Sequence, residues 1–236
     1  MKISILGYGK MGKSIAEIAK ERQHDIIYTA NEKPDFKKVS QADVAIEFSI
    51  PEAGFYNISE CLKYQIPVVS GTTGWLDKFE EAKQLANEHR SKFLYASNFS
   101  VGVNLFFKLN SILANIMAGQ SDYKVDITEI HHTEKKDAPS GTAISLAEQI
   151  IAENDYKSWS HPPKKHISQD IPIQAFREKG VHGTHEINYC SEIDDIQIRH
   201  EAHSRKGFAL GAVLAAEWLV KSKDYGCFSM SDVLNI

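Results

Sequence analysis

The chain has 236 residues, 42% of them hydrophobic, which is enough for an ordinary core shared between two compact lobes. Its 27 Lys and Arg stand against 31 Asp and Glu, a formal net charge of -4. No long basic run is present to track a phosphate backbone, so nucleic acid is excluded as the expected partner. No stretch approaches the ~20 apolar residues of a membrane span, and the apolar run in MKISILGYG is too short for a signal-peptide core, so a cytoplasmic protein is expected.

The first predicted element is a strand over KISILG (2–7), followed by a helix over 10–22 with apolar residues at Met11, Ile15, Ile18 and Ala19. The turn between them, GYGKMG, places Gly7, Gly9 and Gly12 in the order G-x-G-x-x-G after a strand and before a helix, with Lys10 and Met11 inside it. In that context the first glycine permits the turn, the second lets backbone N–H groups approach a pyrophosphate, and the third lets helix and strand pack closely. The helix N-terminus then faces the phosphates with its partial positive charge.

A second strand over DIIYTA (25–30) ends at NEKP, about twenty residues past the glycines, where an acidic residue would grip a ribose diol. Glu32 is the candidate, Asn31 is an alternative ribose contact, and Lys33 could meet a 2′-phosphate, so NADH and NADPH both stay open. A solvated turn is the competing reading of NEKP.

The alternation continues with strands over 42–49, 66–71 and 92–97 and helices over 51–64 and 75–90, the pattern of a parallel sheet wound on both faces. Ligands of such sheets sit beyond the carboxyl ends of the strands. That selects FSIPEA (48–53), SGTTGW (70–75) and SNFSVG (97–102), and with them Gly71, Thr73, Ser97 and Phe99.

After a helix over 98–117 the pattern changes. YKVDITEIHH (123–132), GTHEINYC (183–190) and DIQIRHEAH (195–203) alternate, which predicts a mostly antiparallel sheet. A helix starts at Ser140 and runs to 154, and an apolar helix over 207–222 is expected to return to the first lobe. The expected fold is therefore α/β: a Rossmann-type doubly wound parallel sheet over 1–98, with 207–236 packed back on it, plus an α+β substrate and oligomerisation domain over 99–206. Ile187, Ile196 and Ile198 are expected to line a helix-free sheet face and to drive homo-oligomerisation.

The two-residue period puts Glu129 and His131 on one face of the 123–132 strand and His132 on the other. A histidine there can hold a transferable proton, and Lys135 and Lys136 supply cations to neutralise a carboxylate or protonate a nitrogen. Asp137 can cap or orient. Ser140, Gly141 and Thr142 offer hydroxyls and unpaired N–H groups at a helix start, a site for a small anion. Cys61, Cys190 and Cys227 show no C-x-x-C spacing and read as buried inert thiols, and no metal is expected.

DITEIHHTEKKDAPSGTA (126–143) resembles the signature of the 4-hydroxy-tetrahydrodipicolinate reductases, also called dihydrodipicolinate reductases. The match runs through Glu129, His131, Lys135, Asp137, Pro139, Ser140, Gly141, Thr142 and Ala143, with Asp126 standing where the pattern has Glu. GYGKMG, GTTGW, SNFSVGVN, RHEAHSR and FSMSDVLNI are similar too, so the resemblance covers nearly the whole chain. It implies reduction of a cyclic imine dicarboxylate by NADH or NADPH in lysine and diaminopimelate biosynthesis, by a homotetramer.

Residue by residue, the resemblance implies His131 as acid/base group, Lys135 as its cationic partner near the ring nitrogen, and His132 as a substrate contact. Gly141 and Thr142 would hold one carboxylate, with Thr73 reaching toward it, and Gly7, Gly9, Gly12 and Gly71 would lie along the nucleotide. Arg205 is a candidate for structure or assembly. A diaminopimelate or semialdehyde dehydrogenase would share the first lobe but lack the HH-x-x-K-x-D-x-PSGTA run. A non-catalytic dinucleotide sensor would not need His131 and Lys135 together.

Overall fold

The computed structural model describes residues 1–162, 169–204 and 206–236. Arg205 lies outside the described residues. The chain divides into two compact units, one of residues 1–104 and 206–236 and the other of residues 105–205.

Unit 1 is built on β1 (Lys2–Leu6), β2 (Asp25–Ala30), β3 (Val44–Glu47), β4 (Val68–Ser70), β5 (Lys92–Tyr95) and β11 (Gly226–Phe228). They form one parallel sheet in the order β11-β5-β4-β3-β1-β2. Apolar residues on both faces of each central strand explain why the sheet is covered twice. Ile3, Ile5, Val44, Ile46, Val69 and Leu94 pack on one side, and Leu6, Ala45, Val68 and Phe93 on the other.

The first side is covered by α1 (Lys10–Glu21) and α7 (Lys206–Lys221), with α8 (Met230–Leu234) alongside; the second is covered by α2 (Phe36–Val39), α3 (Pro51–Lys63) and α4 (Phe79–Glu88). A 3-10 turn over Leu76–Lys78 precedes α4, so the segment expected as one helix begins with a tighter turn after the buried Trp75. Alanines 209, 212, 215 and 216 give α7 a thin buried face, and at Gly211 an added Cβ would lie 1.7 Å from the Phe99 carbonyl oxygen. Only glycine allows that approach.

Unit 2 holds β6 (Lys124–His131), β7 (Ser158–Ser160), β8 (Asp170–Arg177), β9 (Thr184–Cys190) and β10 (Asp195–Glu201), in the order β10-β9-β6-β8-β7. The long β10–β9–β6 portion is antiparallel, and β8 and β7 extend it with parallel pairing. Helices α5 (Val101–Met117), whose first four residues belong to unit 1, and α6 (Gly141–Glu153) supply Phe106, Ala114, Leu146, Ala147 and Ile150 to the core on one face of this sheet.

Ile187, Ile196 and Ile198 do not line a helix-free face. Ile187 is fully buried in the core under α5 and α6, Ile198 packs against that core, and Ile196 is in register with Tyr189 on the same helix-covered face. The sheet's pleat therefore turns their alternates outward: Asn188 donates to Asp126 at 2.9 Å, Gln197 donates to Asn188 at 2.6 Å, and Arg199 pairs with Glu186 at 3.3 Å. That face is largely polar, with the half-buried Ile130 and the exposed Phe176 paired at its β6–β8 end. Ile196 is itself partly exposed, and further apolar exposure lies on α5, at Leu105, Leu109, Ile112 and Ile116. Of the cysteines Cys61 is buried, with burial pushing its thiol up, whereas Cys190 and Cys227 are only partly covered. Among the described residues no helix is long and apolar enough to cross a membrane.

Candidate active site

In unit 1, β1 ends at Gly7, whose φ of +95° and whose hypothetical Cβ, 2.1 Å from the Phe48 carbonyl oxygen, both require glycine. A Cβ on Gly12 would lie 2.1 Å from the Gly7 carbonyl oxygen, so this glycine sets the distance between α1 and the turn. Gly9 is the N-cap of α1 and caps with no side chain, and a Cβ there would meet nothing within 4 Å. The first N–H groups of α1 are thus left open toward free space. The residues fit a dinucleotide's pyrophosphate on this observation.

Two clefts open at the carboxyl ends of these strands and share Phe48 and Ser49. The larger, about 520 Å³, is lined by Gly7, Gly9, Asn31, Glu32, Lys33 and Tyr56 among others. The smaller, about 330 Å³, is lined by Met11, Gly71, Thr73, Ser97 and Phe99 among others. Lys10 is exposed and lines neither. Asn31 accepts the Tyr8 N–H through Oδ1 at 2.6 Å, so its side chain braces the glycine turn. Glu32 is exposed on the cleft wall, and the Lys33 ammonium lies 5.9 Å from the Tyr56 ring centroid.

Sequence reasoning missed Glu47 at the end of β3, fully buried and accepting from Ser49 N at 3.0 Å, Ser70 Oγ at 2.7 Å, Thr72 Oγ1 at 2.9 Å and the Ser49 hydroxyl. Burial raises its pKa and these hydrogen bonds oppose the rise. The carboxylate ties the ends of β3 and β4 together beneath the smaller cleft.

In unit 2 the pleat of β6 sends Glu129 and His131 inward beneath the helices. Glu129 is fully buried. Both of its oxygens lie 3.1 Å from Ser140 N, which donates to them, and Arg177 Nη2 donates to Oε1 at 3.2 Å. His131 Nδ1 lies 3.4 Å from Oε2 of the same carboxylate, and the rings of His131 and His185 meet edge-on with centroids 5.1 Å apart. Burial lowers the pKa of His131; Glu129 opposes that shift, while Lys135 and Arg177 reinforce it. Burial, with the neighbouring His131, His200 and Lys135, brings His185 down to about 3. Both imidazoles are accordingly neutral near pH 7, and the His131–Glu129 contact is not an ion pair there.

Ser140 is buried, and its hydroxyl accepts the Ala143 N–H at 3.2 Å as the N-cap of α6 while lying 3.3 Å from His185 Nε2. Its hydroxyl and N–H are thus both engaged inward, and what α6 presents outward is the exposed Gly141, with nothing within 4 Å of a hypothetical Cβ, and the half-buried Thr142. Their N–H groups precede the first intrahelical hydrogen bond, from Ile144 N to Ser140 O.

Lys135 Nζ pairs with Asp137 at 2.8 Å, which lowers the Asp137 pKa, and the loop carrying both is held by Arg177, which donates to the carbonyls of Lys135 at 3.4 Å and Asp137 at 2.5 Å. His132 follows the last residue of β6 and is half-buried. The ligand atoms of Glu129, His131 and His185 all lie within 4.8 Å of one another. Arg177 already pairs with the charge of that carboxylate and the Ser140 N–H occupies its oxygens, so the cluster does not suit a dication.

Arg177 and His185 carried no local signal, because each meets Glu129 or Ser140 from a strand far along the chain, and Glu47 likewise meets Ser70 and Thr72 from a distance, with only Ser49 nearby in sequence.

Unit 1 has the glycine turn and strand-end clefts of a dinucleotide-binding body, and unit 2 sets a buried histidine beside an open helix start. These features suit the class of nicotinamide-dependent oxidoreductases. Comparison with known proteins narrows the class. Residues 1–99 match the family model described as dihydrodipicolinate reductase, N-terminus, and residues 102–234 match dihydrodipicolinate reductase, C-terminus.

The chain is 52% identical over 238 residues to 4-hydroxy-tetrahydrodipicolinate reductase of Christiangramia forsetii, covering 100% of this chain and 98% of that one. It is 37% identical to the enzyme of that name from Rickettsia bellii, covering 95% and 90%. The solved structure of a dipicolinate-bound dihydrodipicolinate reductase from Paenisporosarcina sp. TG-14 shares the fold with a TM-score of 0.81 over 97% of each chain, at 23% identity. The chain belongs to the dihydrodipicolinate reductase family, and it is an oxidoreductase that uses NADH or NADPH.

Proposed function

We propose that this protein reduces 4-hydroxy-tetrahydrodipicolinate, by way of dihydrodipicolinate, to tetrahydrodipicolinate in lysine and diaminopimelate biosynthesis, in the cytoplasm. The observation that carries the reading is the gathering, at one end of β6, of the open N–H groups of α6, the Lys135 ammonium and the His131 imidazole.

Gly141 and Thr142 hold one carboxylate of the ring through backbone N–H groups, and Lys135 supplies the cation that a dicarboxylate requires. His132 contributes from the edge of the strand. Unit 1 holds the nucleotide along Gly7, Gly9, Lys10, Met11 and Gly12, with Glu32 at the ribose and Gly71, Thr73, Ser97 and Phe99 toward the nicotinamide. Bound NADH or NADPH supplies hydride to an unsaturated ring carbon. The electron density this pushes onto the ring is quenched by a proton from His131. An empty site favours neutral His131, because burial outweighs Glu129. A dianion beside the ring adds negative charge and draws a proton onto the imidazole, so the donor is charged when substrate is present.

The test is oxidation of NADH and NADPH by the purified chain with the ring substrate generated in situ. Wild type is expected to turn over. His131→Gln is expected to lose on the order of 10²–10⁴-fold while still binding nucleotide, and Lys135→Ala to weaken pyridine-2,6-dicarboxylate more than a monocarboxylate analogue. Full turnover by a folded His131→Gln protein removes the assignment. We propose in addition that the chain forms a homo-oligomer, a tetramer by the family resemblance. The apolar stripe of Leu105, Leu109, Ile112 and Ile116 on α5 supports association.

A further inference from the structure

We propose that Glu129 is a positioning residue: one buried carboxylate that holds the anion-binding helix start and the lysine loop in place and orients His131 with its Nδ1 proton inward, leaving Nε2 as the atom that exchanges protons. The inference rests on the proposed role of His131.

Three bodies of the site meet on this carboxylate. The start of α6 hangs on it through the Ser140 N–H, 3.1 Å from each oxygen. The loop of Lys135 and Asp137 hangs on it through Arg177, whose Nη2 donates both to Glu129 and to the Asp137 carbonyl and whose Nε donates to the Lys135 carbonyl. The third is His131. Its Nδ1 is buried and makes no hydrogen bond among the described residues, and Oε2 of Glu129, at 3.4 Å, is the anionic oxygen within reach.

A neutral imidazole carries one N–H, and its tautomer follows whichever nitrogen has an acceptor. A proton on Nδ1 faces a carboxylate, whereas a lone pair on Nδ1 would face that same negative charge in a buried site. The opposite edge of the ring runs beside Gly183, where a hypothetical Cβ would lie 3.1 Å from Nε2. Glycine at 183 keeps side-chain atoms away from Nε2. The charged and titratable groups facing the ring are Glu129 from β6, Arg177 from β8, His185 from β9, and Lys135 and Asp137 from the loop. Of the two that carry negative charge, only Glu129 is buried beside Nδ1.

Two measurements on the full chain decide it. In ¹⁵N-histidine spectra near pH 7.5, with His131 assigned by its loss in His131→Gln, the expected form is the Nδ1–H tautomer. An Nε2–H tautomer or an even mixture overturns the proposal, and this reading needs no variant at position 129. In the second, Glu129→Gln keeps the shape and removes the charge. The fall of kcat/KM at high pH, which follows loss of the imidazolium proton, is expected to move to lower pH by about one unit. The maximum is expected to drop about tenfold or more, and Glu129→Asp to restore part of the shift. A loss of thermal stability with the pH profile unmoved overturns the proposal in favour of a purely structural Glu129. If wild type fails to reduce the ring substrate, the proposed function fails by itself, while the tautomer measurement still decides the role of Glu129.

Discussion

Acid should loosen unit 2 through His185, and the size of the effect follows from where that ring sits. His185 is 4% exposed, and burial, helped by His131, His200 and Lys135, holds its folded pKa at about 3, against 6.5 for an ordinary histidine. The folded state therefore refuses a proton that the unfolded chain accepts. Stability from this group is complete above pH 6.5 and is lost as the pH falls toward 3. At pH 5 the unfolded chain has gained about 1.5 pH units of protonation advantage, at roughly 1.4 kcal/mol per unit, so unit 2 should be less stable than at pH 8 by about 2 kcal/mol. His131 and His200 are shifted the same way and add to the slope.

The perturbation is His185→Gln, which keeps a polar group opposite Ser140 Oγ but removes the titration. Hydrogen exchange at the amides of β6 and β9, corrected for intrinsic rates and followed from pH 8 to pH 5, reads unit 2 separately from unit 1. The variant is expected to start lower at pH 8 and to lose about 2 kcal/mol less on acidification than wild type. Equal losses in the two proteins would refute the reasoning, because the slope would then belong to other groups.

Gly12→Val should displace α1 from the nucleotide turn, since the Cβ would lie 2.1 Å from the Gly7 carbonyl oxygen, a backbone atom that cannot swing aside. A stability loss of about 1–3 kcal/mol, with weakened nucleotide binding by calorimetry, is expected; unchanged affinity and melting temperature would count against this packing. Light scattering at micromolar concentration should report more than one copy of the chain, and Leu109→Glu with Ile112→Glu on α5 should lower the mass. A monomeric wild type rules out the association.

Much of the molecule was legible because its signals are local. The G-x-G-x-x-G turn, the alternation of strands and helices to Tyr95, and the N-cap at Ser140 each depend on residues within a few positions of one another. The strand period of β6 likewise placed Glu129 and His131 on one face, the buried one. Strand β8 was not read. Pro172 interrupts DIPIQAFR, and only its pairing with β6 and β7 shows that the proline lies where the ladder tolerates it.

Which face of a sheet is covered is likewise a tertiary fact. Alternation told that Ile187, Ile196 and Ile198 share a face, but the side on which α5 and α6 lie determined that this face is the core. The same holds within the site. The sequence by itself established that a histidine, a lysine and an anion-binding helix start stand close together along the chain. That they converge on one buried carboxylate, braced by Arg177 and His185 from strands some fifty residues on, was decided by sheet register, which sets Glu129 opposite His185 and His131 beside Arg177. Register is the sum of many cross-strand pairings and is written in no one stretch of sequence.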